Sequence, residues 1–218
     1  MIFSIILVLT ALLTGNVFAE EIDIGLLQQS GNAQNQSFSL LGKTKIKEVL
    51  VSGSFKYAEN KGDFVEEKAY LGGNYDPKIS ENLGLWFYDQ AGYDRKRGIE
   101  YENYLGGGLK HYIVEKKGWK VSFSEGLLWH SIDNKNLARL SFRPKVKWIK
   151  DKVEFEGIAF YQPNITNYAD YIVTTESSIR YALTDKIGLK IKLEEEYRSI
   201  TDREKNDLMI SLNLSWRR

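Results

Sequence analysis

From residue 21 onward apolar and polar side chains alternate with a period of two, and no 3.6-residue helical period emerges. The alternation predicts twelve strands, over roughly 22–30, 34–46, 49–58, 64–76, 82–94, 100–114, 118–130, 137–149, 152–162, 168–183, 186–198 and 206–216. Most are about twice the length of a strand in a soluble domain. Turn-forming clusters separate them, among them Asn60-Lys61-Gly62-Asp63, Asp76-Pro77, Lys96-Arg97-Gly98 and Pro163-Asn164. The connections read as alternating in length. Those at Lys47-Glu48, 115–117, Lys150-Asp151 and Thr184-Asp185 are tight, and those at 131–136, 162–167 and 199–205 are longer, the asymmetry of outer-membrane barrels.

Splitting the last six strands by parity separates two chemistries. One face runs from Trp119, Val121 and Phe123 through to Leu212, Leu214 and Trp216, and of its 35 positions only Glu125 and Glu195 are charged. The other carries Lys120, Arg139, Arg143, Lys145, Lys147, Glu154, Glu156, Glu176, Arg180, Lys190, Lys192, Glu194, Glu196 and Arg198. A two-residue turn at Lys150-Asp151 would pair Ile149 with Lys152 and set Lys147 opposite Glu154 and Lys145 opposite Glu156. A similar turn at Lys47-Glu48 would pair Ile46 with Val49. Pro144 lacks an N–H and predicts a bulge or local break in its strand.

Alternation alone leaves open which face is outside, and a secreted or periplasmic soluble β-barrel binding an apolar ligand would turn the apolar face inward. Size argues against that alternative. Twelve strands about 4.8 Å apart and tilted about 40° close at a backbone radius of roughly 12 Å, too wide for apolar side chains to fill. A twelve-residue strand at that tilt rises roughly 30 Å, the thickness of a bilayer core. Aromatics gather at strand ends, with Tyr75, Tyr112, Trp119, Trp148, Tyr181 and Trp216 towards one side and Tyr57, Tyr93, Tyr101, Trp129, Tyr161, Tyr168 and Tyr197 towards the other. Two such belts are what anchoring in lipid interfaces requires. The pattern therefore predicts an all-β fold, a closed antiparallel transmembrane β-barrel of about 12 strands (10–14), with outer-membrane lipid against its apolar wall.

Residues 1–19, MIFSIILVLTALLTGNVFA, carry no charge, and the apolar run Ile2–Leu13 is too short to span a bilayer. With small residues at Val17 and Ala19 it reads as a cleavable signal peptide, leaving residues 20–218 as the barrel. Lys and Arg number 30 against 29 Asp and Glu, so the net charge is +1 and no basic excess points to nucleic acid. The absence of Cys removes disulfides and thiolate metal sites. No cofactor is expected.

Four stretches carry a resemblance to a known family: IDIGLLQQSGNAQNQSFSL, GYDRKRGIEYENYLGGGLKHYI, WKVSFSEGLLWH and LMISLNLSW. The chain resembles the salt-induced outer-membrane proteins (YdiY-like), a domain family of unknown function. The resemblance covers about 21–218. It implies a Gram-negative outer-membrane barrel, folded from the periplasm by the outer-membrane assembly machinery, with no established activity. Barrels of this kind usually end on an aromatic residue, whereas here Arg217-Arg218 follow Trp216.

Catalytic chemistry finds little support. His130 and Ser131 are adjacent, so on a strand they face opposite ways and cannot share a proton, and His130 reads as a polar strand-end residue. Gly106-Gly107-Gly108 precedes no helix and reads as relief of crowding rather than a phosphate loop. The remaining functional candidates are Arg139, Arg143, Lys145, Lys147, Glu154, Glu156, Glu176, Arg180, Lys190, Lys192, Glu194, Glu196 and Arg198, as groups lining the barrel interior. They would form either a salt-bridged plug or a narrow charged pore for ions or small solutes. Trp119, Trp129, Trp148, Tyr161, Tyr181, Tyr197 and Trp216 are the candidate lipid-interface aromatics.

Overall fold

A computed structural model describes residues 21–29, 35–46, 48–60, 63–200 and 205–217. The expected signal peptide at 1–19 lies outside the described residues. Twelve strands form: β1 (Glu21–Gln29), β2 (Asn35–Ile46), β3 (Val49–Asn60), β4 (Asp63–Tyr75), β5 (Leu83–Asp94) and β6 (Ile99–Lys116). They continue as β7 (Trp119–Ile132), β8 (Lys135–Lys150), β9 (Val153–Asn164), β10 (Asn167–Ala182), β11 (Ile187–Arg198) and β12 (Asn206–Arg217). Each strand pairs antiparallel with its sequence neighbours, and β1 closes on β12 with Glu21 opposite Arg217. Closure leaves no strand edge exposed to lipid.

The apolar parity faces outward. Leu127, Trp129, Ile179, Ile191, Leu208, Ile210, Leu212 and Leu214 are each more than half exposed, whereas Arg139, Arg143, Glu154, Arg180, Lys190 and Arg198 are buried. This inverts the distribution of a soluble domain and removes the reading in which an apolar ligand fills the interior.

Local expectations are corrected or sharpened. Among the described connections the lengths do not alternate as expected, and residues 201–204 of the expected long loop 199–205 lie outside the described residues. The expected long loops 131–136 and 162–167 shrink to two-residue turns at 133–134 and 165–166, while 76–82 and 183–186 lengthen on the other side. Local side-chain chemistry closes these tight turns: Asp133 and Asp151 adopt φ of 48° and 52°, tolerated by Asp better than by most residues, and Asn164 Oδ1 accepts from the Thr166 N–H at 3.1 Å. The β8–β9 register is two residues from the expected one, with Lys150 opposite Val153 and Lys147 opposite Glu156. A slip of two preserves which face each residue occupies. The ion pairs therefore still form, on the diagonal: Lys147 with Glu154 and Lys145 with Glu156, each at 2.6 Å. Of the bulge or local break expected at Pro144, the break is what forms: its register with β7 is unbroken, and on the β9 side the ladder lapses between Phe142↔Tyr161 and Lys145↔Ile158 without a shift. The turn at Lys47-Glu48 does set Ile46 opposite Val49.

Rings run laterally over the outer wall. Trp119 and Trp148 face each other at 6.1 Å, and Phe142, Tyr161, Tyr171 and Tyr197 form a chain with spacings of 6.2, 5.8 and 5.9 Å. Trp119, Trp129, Tyr161 and Tyr181 are exposed; Trp148, Tyr197 and Trp216 are half-buried by neighbouring side chains. Tyr112 departs from the expected belt, pairing with inward Ser122 and lying under the Lys78 and Lys110 ammonium groups.

Between Trp119 and Trp129 the same wall carries Glu125, 3.5 Å from His111 on β6, both more than 40% exposed. An ionisable pair facing hydrocarbon opposes insertion. Replacing both residues by Leu is expected to raise stability in lipid vesicles by about 1 kcal/mol, read as a higher urea midpoint; a lower midpoint would assign the pair a structural role.

Candidate functional site

The interior is built from the polar parity of every strand. Near one end the buried Glu102 carboxylate on β6 accepts from His130 Nε2 at 2.8 Å, Arg198 Nη2 at 2.8 Å and Tyr104 Oη at 3.0 Å. Arg198 belongs to β11, five places from β6 in the strand order, so this pair crosses the barrel. His130 is fixed on both nitrogens. Arg139 Nε donates to Nδ1 at 3.0 Å, and because a guanidinium can only donate, the imidazole proton sits on Nε2 and faces Glu102. The ring also stacks on Tyr104 at 4.2 Å. Arg139 continues the chain to Asp170 at 3.0 Å. His130 is therefore the centre of a buried network rather than a polar strand end, while Ser131 points the other way and bonds Asn136.

The β5–β6 turn lies across the same mouth. Gly98, at φ 60°, lets it fold back, and the Arg97 N–H donates to Asp94 Oδ1 at 3.2 Å. The Arg97 guanidinium reaches the Glu196 carboxylate on β11 and its backbone oxygen, the latter at 3.2 Å, while Lys96 pairs with Asp207 on β12 at 2.8 Å. At the end where β1 begins and β12 finishes, Lys190 bridges Glu21 at 2.8 Å and Asp23 at 2.6 Å, and Arg217 pairs with Glu154.

Between these layers the interior divides. On the β5–β8 side it is filled: Trp86, Tyr104 and Leu128 are buried together against Tyr88. The Trp86 indole crosses Gly108 and Gly126 and donates to the Glu125 backbone oxygen at 3.1 Å. The other side holds a cavity of about 320 Å³, lined among others by Ser52, Lys56, Glu176, Lys192, Glu194 and Ser211. Lys192 bridges Glu194 at 2.6 Å and Glu176 at 3.2 Å, and Lys56 on β3 meets Glu194 from four strands away.

Of the thirteen interior candidates, eleven therefore sit in ion pairs. Among the described residues Arg143 and Arg180 do not; Arg180 Nε donates to Ser215 Oγ at 3.3 Å. Sequence reasoning did not single out Glu21, Asp23, Lys56, Lys68, Glu102, Asp170, Asp207 or Arg217 on the interior. Extending the parity split through the first half of the chain would have placed Glu21, Asp23, Lys56, Lys68 and Glu102 there, and carrying it to the strand ends of the second half would have added Asp170, Asp207 and Arg217, though neither would have paired them.

A closed barrel with an apolar outer wall, aromatic belts and a charged interior is an integral barrel of the outer membrane. The chain belongs to the family described as "Protein of unknown function, DUF481", which matches residues 22–216. No curated protein matches it in sequence. Among solved structures it is similar in fold to the KdgM porin (10% identity, TM-score 0.55) and the NanC porin (11% identity, TM-score 0.57). Each match covers 90% of this chain and 98% of the porin. At such identities the likeness is one of fold.

Proposed function

We propose that the chain is a non-enzymatic outer-membrane channel, exported by its signal peptide, inserted by the outer-membrane assembly machinery, and passing ions or small polar solutes through a narrow charged interior. The observation that carries this reading is the polar cavity of about 320 Å³ bounded by the Lys56–Glu194–Lys192–Glu176 cluster. An interior meant only to be filled would not leave ionised groups beside empty volume, since charges out of water are costly unless hydrated or paired. The thirteen parity-selected charges line the passage in this reading, and the seven aromatics hold the wall in the lipid interfaces. Because most cations have a carboxylate partner, bulk selectivity would be weak.

Reconstituted in planar bilayers, the folded protein is expected to give discrete conductance steps. Arg97→Ala, which removes the guanidinium from the mouth, is expected to enlarge them about twofold. Silence of both proteins at all voltages would leave a salt-bridged, sealed barrel.

A further inference from the structure

The ion pairs of β8 leave one exception. Along its inward face Arg139 has Asp170, Lys145 has Glu156 and Lys147 has Glu154. Arg143, between them, is 7% exposed and has no carboxylate at ion-pair distance among the described residues. Its Nε donates to Ser141 Oγ at 2.9 Å, and its Nη2 has no hydrogen-bond partner. What surrounds the guanidinium is aromatic: its central carbon lies 3.8 Å from the Trp86 ring centroid, 4.9 Å from that of Tyr88 and 5.3 Å from that of Phe160.

Ring faces attract a cation, but that attraction does not replace the hydration lost on burying a full charge. A buried guanidinium with an open N–H is a donor without its acceptor, and the planar fork of Arg is matched by a carboxylate. Tyr88 and Phe160 also line the cavity, so a solute in the passage is one ring's thickness from Arg143 and reaches it when either ring turns about its Cα–Cβ bond. The apolar walls suit the body of a small organic acid beside its charged end.

We propose that Arg143, with Trp86, Tyr88 and Phe160, forms a binding subsite for the carboxylate of a small organic acid within the barrel. The inference rests on the channel reading, since it names a solute class for that passage, but it is tested by binding rather than by current. Trp86 stacks directly on the guanidinium, so tryptophan emission reports occupancy.

Folded protein in detergent is titrated with sodium benzoate and, separately, with sodium chloride at constant ionic strength. Benzoate is expected to give a saturable emission change that chloride does not. Arg143→Gln should raise the half-saturating concentration at least tenfold, about 1.4 kcal/mol. Arg143→Lys, which keeps the charge but loses the fork, should fall between, and Arg180→Gln, at a second guanidinium without an ion pair among the described residues, should leave it unchanged. Heat-modifiable gel mobility identifies which variants have folded. No saturable change with wild type, an equal response to chloride, or an unaltered response in a folded Arg143 variant each overturns the subsite. A conducting barrel without a benzoate response overturns this inference alone, and a benzoate response in a non-conducting barrel overturns only the channel reading.

Discussion

Glu102→Leu is expected to lower the unfolding free energy of the barrel by about 3–5 kcal/mol, the usual consequence of removing one partner from a buried ionic cluster. Glu102 is 1% exposed and, among the described residues, is the one carboxylate that meets both His130 and Arg198. Without it the His130 Nε2–H has no acceptor, because Arg139 already occupies Nδ1 as a donor. Arg198 keeps Glu196 at 2.6 Å but loses its contact across the barrel. Glu102→Gln preserves shape and one acceptor oxygen, so its loss should be nearer 1–2 kcal/mol. Urea titration of protein folded in lipid vesicles measures both. An unchanged midpoint for Glu102→Leu would mean that the cross-barrel network does not hold this end together.

The fold was legible because a transmembrane barrel writes the same two-residue code in every strand. All twelve expected strands form, with ends displaced by at most two residues. The connections were less legible for a reason tied to the same code. Where polar side chains run on to the strand ends, on the inner face at Gln162 and Asn164 and on the outer at Ser131 and Asn136, they look like loop residues although they close strand ladders. Charges of the second half stood out because they alternate with apolar neighbours. In β5 and β6 the interior positions include Trp86, Tyr88, Tyr104, Gly106 and Gly108, so both faces of β5 read as apolar. Partners were beyond reach throughout. Whether Lys56 meets Glu194 or Arg198 meets Glu102 depends on closure, which brings together strands four or five places apart. The absence of a carboxylate partner for Arg143 among the described residues was equally invisible, since pairing across the barrel follows from closure.

The largest effect from the smallest change is expected at the glycines under Trp86. Gly108 and Gly126 are register partners on β6 and β7. A Cβ at Gly108 would lie 2.0 Å from the Glu125 backbone oxygen and 2.6 Å from the Gly126 Cα. One at Gly126 would lie 2.2 Å from the Gly107 oxygen and 2.7 Å from the Trp86 ring. These contacts are with backbone, which cannot turn aside as a flexible side chain can, so the two strands must separate or the ladder must break. Either Gly108→Ala or Gly126→Ala should therefore destabilise the barrel by about 3 kcal/mol or more, at or above the upper end of overpacking costs. Trp86→Ala should give Gly126→Ala little relief, because the Gly107 oxygen remains in the way. Gly73 on β4 supplies the contrast: a Cβ there meets nothing closer than Val49 Cγ1 at 3.7 Å, so Gly73→Ala should stay within about 1 kcal/mol of wild type. Heat-modifiable mobility after refolding, followed by urea titration of whatever folds, ranks the variants. Equal tolerance at Gly108, Gly126 and Gly73 would show that β6 and β7 are not held at this close approach, and the floor on which Trp86 rests would have to be placed elsewhere.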